Sequence, residues 1–229
     1  MAIAGSNIQT TNDGANLATY VFPVPSTPGA NNLVLLWVEG HSAVTQGAPT
    51  VTGTMSTWTQ LSRISQWDAG ATDSIQLFWA MQASPSASSL TVAWPGTQSN
   101  CLISMVQFSG VSQEAPIQSV QSQVASAANL AMLLSAPASG SAVAGGASRT
   151  LNSAQTASSD FILLASTNQN SPAQNLASEW TSVNRSRVTL FAASAGSMAG
   201  IAVEIRPAPA GAAVFSPYYS NYYTRMIAS

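Results

Sequence analysis

The chain has 229 residues, of which only 6% are charged: six arginines, eight carboxylates and no lysine, with one histidine and a net charge of −2. That balance provides no basic stripe for nucleic acid, and without lysine there is no P-loop, Schiff base or Ser–Lys dyad. A single cysteine, Cys101, excludes an internal disulfide framework, and 46% hydrophobic residues exclude disorder for the bulk of the chain.

In chain order, Met1–Ser6 has neither the basic region nor the long apolar region of a secretory signal. Pro25–Asn32 is rich in turn residues. The longest apolar run, Leu33–Val38, has strand length and falls far short of the ~20 residues of a membrane span. Apolar on both sides, it reads as a central, covered strand. Ile75, Leu77, Trp79 and Met81 alternate with Ser74, Gln76, Phe78, Ala80 and Gln82, the period of a strand turning one side to a core. Ser84–Ser89 is a turn, and Gln113–Leu134 is the one stretch where a short helix competes. Phe161–Ala165 reads as a second covered central strand, and Ile201, Val203 and Ile205 alternate as Ile75 to Met81 do. The chain is expected to be all-β, with strands at the spacing of a sandwich.

Laid on itself, the chain matches in order. Pro25 meets Pro137, Leu61 meets Leu164, Trp79 meets Trp180 and Phe108 meets Ile205, at offsets falling from 112 through 103 and 101 to 97. A falling offset is expected of a duplication whose second copy has shorter loops. The halves run from about residue 15 to 111 and from 128 to 207. No long polar linker separates them, so residues 1–207 are expected to form one jelly-roll-like β-sandwich built from two sequence-similar halves. Two tandem domains are the alternative.

After Pro207 the composition changes. A spacer of Ala, Pro and Gly leads to a segment holding four of the five tyrosines, so that 208–229 reads as an extended C-terminal arm. Tyrosine gives a large contact area with a polar tip at little rotamer cost. Phe215, Tyr218, Tyr219, Tyr222, Tyr223, Arg225 and Met226 are therefore the expected interface residues.

Residues with catalytic potential are few. Glu39 and His41 are two apart and share a strand face, which would orient the imidazole, but no Gly-x-Ser-x-Gly elbow presents a serine. One histidine cannot make a His-rich metal site; Asp68 and Asp73 could hold Ca²⁺ with backbone carbonyls, and a hairpin turn explains them equally well. Cys101 reads as a small core residue. Neither metal nor cofactor is expected. Trp58, Trp67 and Trp94 lie near turns and form the candidate glycan platform, whereas Trp37 and Trp79 lie within strands. Asp68, Asp73, Glu114 and Glu179 are the carboxylates from which a glycosidase pair would have to come.

Asn32-Leu-Val-Leu-Leu-Trp37, Ser56-Thr-Trp-Thr-Gln-Leu-Ser62, Val106-Gln-Phe-Ser-Gly-Val111 and Gly200-Ile-Ala-Val-Glu-Ile-Arg-Pro207 together resemble a loose group of β-sandwich virion proteins of tailed bacteriophages. The resemblance covers roughly residues 30–207, is carried by strand and turn residues, and transfers no catalytic residue. It implies a non-enzymatic virion structural protein, a capsid decoration (cement) or head–tail accessory subunit. The implied partners are copies of itself, with a trimer as the working number, and other virion proteins such as the major capsid protein; neither nucleic acid nor membrane is expected as a partner. A surface with so few charges offers little repulsion between molecules and suits permanent assembly. The second reading is a receptor- or glycan-binding module of a tail fibre, or a secreted carbohydrate-binding protein. A polysaccharide depolymerase using two of the carboxylates is the third.

Overall fold

The computed structural model describes residues 2–44, 47–65 and 73–209. Among these there are fourteen strands and no helix: β1 (Ala4–Asp13), β2 (Leu17–Phe22), β3 (Leu33–His41), β4 (Thr50–Thr52), β5 (Thr59–Ser65), β6 (Ser74–Ala80), β7 (Leu90–Gln98), β8 (Asn100–Ser109), β9 (Ile117–Leu133), β10 (Ala142–Arg149), β11 (Gln155–Ala157), β12 (Ile162–Asn170), β13 (Ala173–Thr181) and β14 (Arg187–Ile205). The first eight form a five-stranded sheet of order β1-β8-β3-β6-β5 and a small sheet of order β2-β7-β4. The remaining six form one sheet of order β11-β14-β10-β13-β12, with β9 also paired to β14.

That last sheet bends over on itself. β9 and β14 pair from Ile117 to Ala127 against Gly196 to Ile205, break register, and pair again from Asn129 to Leu133 against Arg187 to Phe191. Past the break, β14 turns Val188 onto Gly145 of β10, so close that a Cβ on Gly145 would clash with Val188. The second half therefore contains a five-stranded layer, β9-β14-β10-β13-β12, covered by a small one, β9-β14-β11. Matched strand by strand, these are the orders β1-β8-β3-β6-β5 and β2-β7-β4 of the first half. Registers match too. Trp79 lies opposite Leu35 and Thr59, as Trp180 lies opposite Ala144 and Ile162. Phe108 lies opposite Leu33, as Ile205 lies opposite Ala142. Leu61 and Leu164 each occupy the irregular position of an edge strand.

The two five-stranded layers pack face to face, and their contacts come in reciprocal pairs. β1 lies on β12 and β5 on β9; β8 touches β12 and β13, while β14 touches β5 and β6. With β1 matched to β9 and β5 to β12, each contact appears twice with the roles exchanged, the pattern of an isologous two-fold interface.

Three cores follow from this stacking. Leu33, Leu35 and Trp37 of β3 point into the core between the halves, with Leu77, Phe108, Leu176, Trp180 and Ile201. Val34, Leu36 and Val38 point the other way, onto Tyr20, Phe22, Leu90, Val92 and Trp94. A third core of Leu130, Met132, Val143, Ala177, Val188 and Leu190 fills the second half. All-β sandwich layering is what the alternation predicts, and the covered strand at Leu33–Val38 is found as expected. There are more layers than the two of a single sandwich, because each half covers its own large sheet before the two sheets meet.

One local expectation fails. Phe161–Ala165 is not central: β12 pairs with β13 alone, leaving Ile162 60% and Leu163 38% exposed. An apolar run cannot distinguish a covered strand from an apolar edge. At Gln113–Leu134, where a short helix competes, the strand is found: β9 pairs with β14 on both sides of the register break.

The middle core tolerates no added atom at Gly146, where a Cβ would lie 2.7 Å from the Trp37 indole. Gly146→Ala is therefore expected to destabilise the protein by about 1–3 kcal/mol through overpacking, read as a lower urea midpoint at unchanged slope.

Candidate functional site

β3 continues past Trp37 with Glu39 and His41 on the same face, as period-two alternation requires. Both reach the end of the layer between the halves, where Asp73 enters just ahead of β6, Asn100 opens β8 opposite His41, and Gln174 arrives from β13. His41 Nδ1 contacts Asp73 Oδ1. Gln174 Nε2 donates to the same oxygen at 2.7 Å, and Asn100 Nδ2 donates to Gln174 Oε1 at 2.7 Å. Gln174 thus ties β6 and β8 of the first half to β13 of the second. It occupies the register position in β13 that Asp73 occupies ahead of β6, since Ser74 pairs with Gly40 as Asn175 pairs with Arg149.

Glu39 is fully buried, and burial first, then the Asp73 carboxylate, push its carboxyl well above the usual range, with the Gln174 amide pulling the other way. A cavity of about 170 Å³ lies beside the cluster, lined by His41, Asp73, Thr150, Pro172, Ala173 and Gln174. The one hydroxyl among these six belongs to Thr150. Cys101 faces the core of the first half, with its thiol pushed well up by burial, so it offers no thiolate here. A carboxylate-held imidazole is half of a nucleophile-activating pair. Here its carboxylate also accepts the Gln174 amide, which links the two halves.

Two further polar groups are buried on β10 and β14. Arg149 donates from Nη1 to Ser153 Oγ at 2.7 Å and from Nη2 to the Ser194 carbonyl at 3.0 Å, and burial lowers its affinity for the proton. Glu204 accepts the Ala138 amide at 2.8 Å, the Ser141 hydroxyl at 2.9 Å and the Ser119 hydroxyl at 3.1 Å, tying β9 and the turn before β10 to β14.

The structure separates most of the residues expected to act together. Trp94 is 5% exposed and packs in the first-half core with Gly40 against its ring, so it cannot stack on a sugar. Trp58 is half-buried, its Nε1 donating to the Gly53 carbonyl at 3.1 Å; Trp67 lies outside the described residues. The Trp58, Trp67 and Trp94 platform is therefore not formed as expected, because β7 turns Trp94 into the core. Asp73 is committed to His41 and Gln174, while Asp68, its expected partner for calcium, lies outside the described residues. Glu114 is exposed on the turn after β8, and Glu179 is buried in β13, so neither joins Asp73 as a glycosidase pair. Phe215, Tyr218, Tyr219, Tyr222, Tyr223, Arg225 and Met226 lie outside the described residues. Sequence reasoning missed Asn100 and Gln174. The only signal near them was the Glu39–His41 spacing, which marks one side of the cluster and says nothing of what meets it.

Comparison of the chain with family models, with curated proteins and with solved structures finds no match.

Proposed function

We propose that the chain is a non-enzymatic structural subunit of a tailed-phage virion, a capsid decoration or head–tail accessory protein that assembles with copies of itself and with the major capsid protein. The observation that carries this reading is the edge strand β12. Its nine residues contain no charge and no proline, and Ile162 and Leu163 at its start are exposed. Freely diffusing β-proteins blunt such edges with charges, bulges or prolines to avoid pairing with their neighbours. β12 carries only the bulge at Leu164, and a subunit that is always assembled needs no stronger guard.

Three features support the same reading. Among the described residues there are two ion pairs, His41–Asp73 and Arg185–Asp160, so stability rests on apolar burial in three stacked cores. The matched strand orders and registers accord with two halves descended from one duplicated unit, fused into a rigid block with two related outer faces. Beyond the block, the Tyr-rich segment 214–229 supplies contact area for a neighbour that the compact body cannot reach. Deleting residues 214–229 is expected to leave a folded body that no longer joins its particle, measured by co-sedimentation with assembled particles. Normal incorporation of the truncated protein would overturn the role of the arm.

A further inference from the structure

In a chain with six arginines, two line the same cleft on the outer face of the second half. β14 builds that face by alternation: Val188 and Leu190 are fully buried on one side, and on the other Arg187 and Phe191 are exposed with Thr189 buried between them. Arg187 and Phe191 are four residues apart, about 13 Å along the strand. Asn129, paired in register with Phe191 from β9, forms one wall, and Ser158, Asp160 and Phe161 form the other. Arg185 and Ser186 close the end, with Arg185 Nη2 3.0 Å from Asp160 Oδ2. The cleft holds about 340 Å³, within the range of small-ligand sites.

We propose that this cleft binds a sugar carrying a carboxylate, with Arg187 taking the acid group and Phe191 the face of a ring. Arg185 is neutralised by Asp160, whereas Arg187 has no ion-pair partner among the described residues and is exposed. A guanidinium meets a carboxylate through two parallel hydrogen bonds, which fixes orientation as well as charge. Phe191 is 39% exposed and offers a flat apolar surface. The Asn129 amide makes no hydrogen bond among the described residues and is placed to read ring hydroxyls beside Phe191. Behind the floor lies the carboxyl of Glu179, which burial pushes up to about 8 against the pull of the Ser158 and Thr189 backbone. Neutral at pH 7, Glu179 does not oppose an anion, and the cleft carries one net positive charge. Phosphate is a poorer match, since a single unpaired cation serves its charge badly and Phe191 has nothing to do.

None of the residues lining the cleft belongs to the polar cluster, and the site stands or falls independently of the assembly reading. The test is titration of the full chain with an oligogalacturonate, a sialyl-oligosaccharide and a neutral cello-oligosaccharide, followed calorimetrically and by NMR shifts. At least one of the two acidic sugars is expected to bind, and which one does so identifies the source of the acid. The neutral sugar is expected to bind at least about tenfold more weakly. Arg187→Gln is expected to weaken acidic binding by about tenfold or more, the loss of one charged contact, and Phe191→Ala to weaken it as well. Both positions are exposed, and unchanged unfolding midpoints would show that the variants fold. No binding by either acidic sugar at millimolar concentration, equal binding of the neutral one, or full affinity in folded Arg187→Gln would overturn the proposal.

Discussion

Replacing Glu179 with glutamine is expected to stabilise the protein at pH 8.5 by as much as about 4 kcal/mol and to change little at pH 4. Glu179 lies in β13 with no exposed surface, and burial raises its carboxyl from 4.5 to about 8. Between those two values the native state keeps a proton that the unfolded chain has lost. Stability therefore falls as pH rises through that window and levels off above about 8, where both states are ionised. Glu39, buried between the halves and raised in the same direction, adds to the slope. Glutamine has the shape of the protonated acid and never ionises, so the variant should lose the Glu179 share of this dependence. Urea unfolding at pH 4, 6 and 8.5 measures it. A wild-type protein most stable at pH 8.5, or a Glu179→Gln variant no more stable there than wild type, would contradict the assignment.

Trp37→Ala is expected to cost about 3–5 kcal/mol, the usual range for removing a buried tryptophan. Trp37 has no exposed surface, lies flat on Gly146 and donates from Nε1 to the Ile201 carbonyl at 3.0 Å. It joins β3 of the first half to β10 and β14 of the second. Its loss opens a cavity between the halves and removes the hydrogen bond to the Ile201 carbonyl, which adds to the cost. Trp37→Phe should fall between the two, restoring ring volume without the donor. Neither half's own core contains Trp37, so damage should be concentrated where the halves meet. A loss below about 1 kcal/mol in urea unfolding would show that this contact does not hold the halves together.

Much of the fold is legible residue by residue. Leu33–Val38 announces a doubly covered strand because both of its faces are apolar, and it supplies two cores at once. Ile201, Val203 and Ile205 alternate and are buried. The offsets that join Trp79 to Trp180 and Phe108 to Ile205 fall on matching register positions. Illegible features depend on which layer meets which. Ile162 and Leu163 look like core and lie at an edge, because sequence does not say how many neighbours a strand will have. Glu39 and His41 can be placed on one face from their spacing, but Gln174 lies 133 residues beyond His41, and only the face-to-face packing of the halves brings them together. Glu179 sits one residue from Trp180 and faces the opposite core, in a position matched to Phe78 in the first half. No local pattern marks a carboxyl for burial.

On the reading we propose, the uncharged edge, the stacked apolar cores and the tyrosine-rich C-terminal segment all serve an assembled part. The mass of the native protein in solution, measured by light scattering for the full chain and for residues 1–213, tests this most directly. A closed oligomer of the full chain that falls to monomer on truncation is the expected result. Monomers in both cases would contradict self-assembly through the arm.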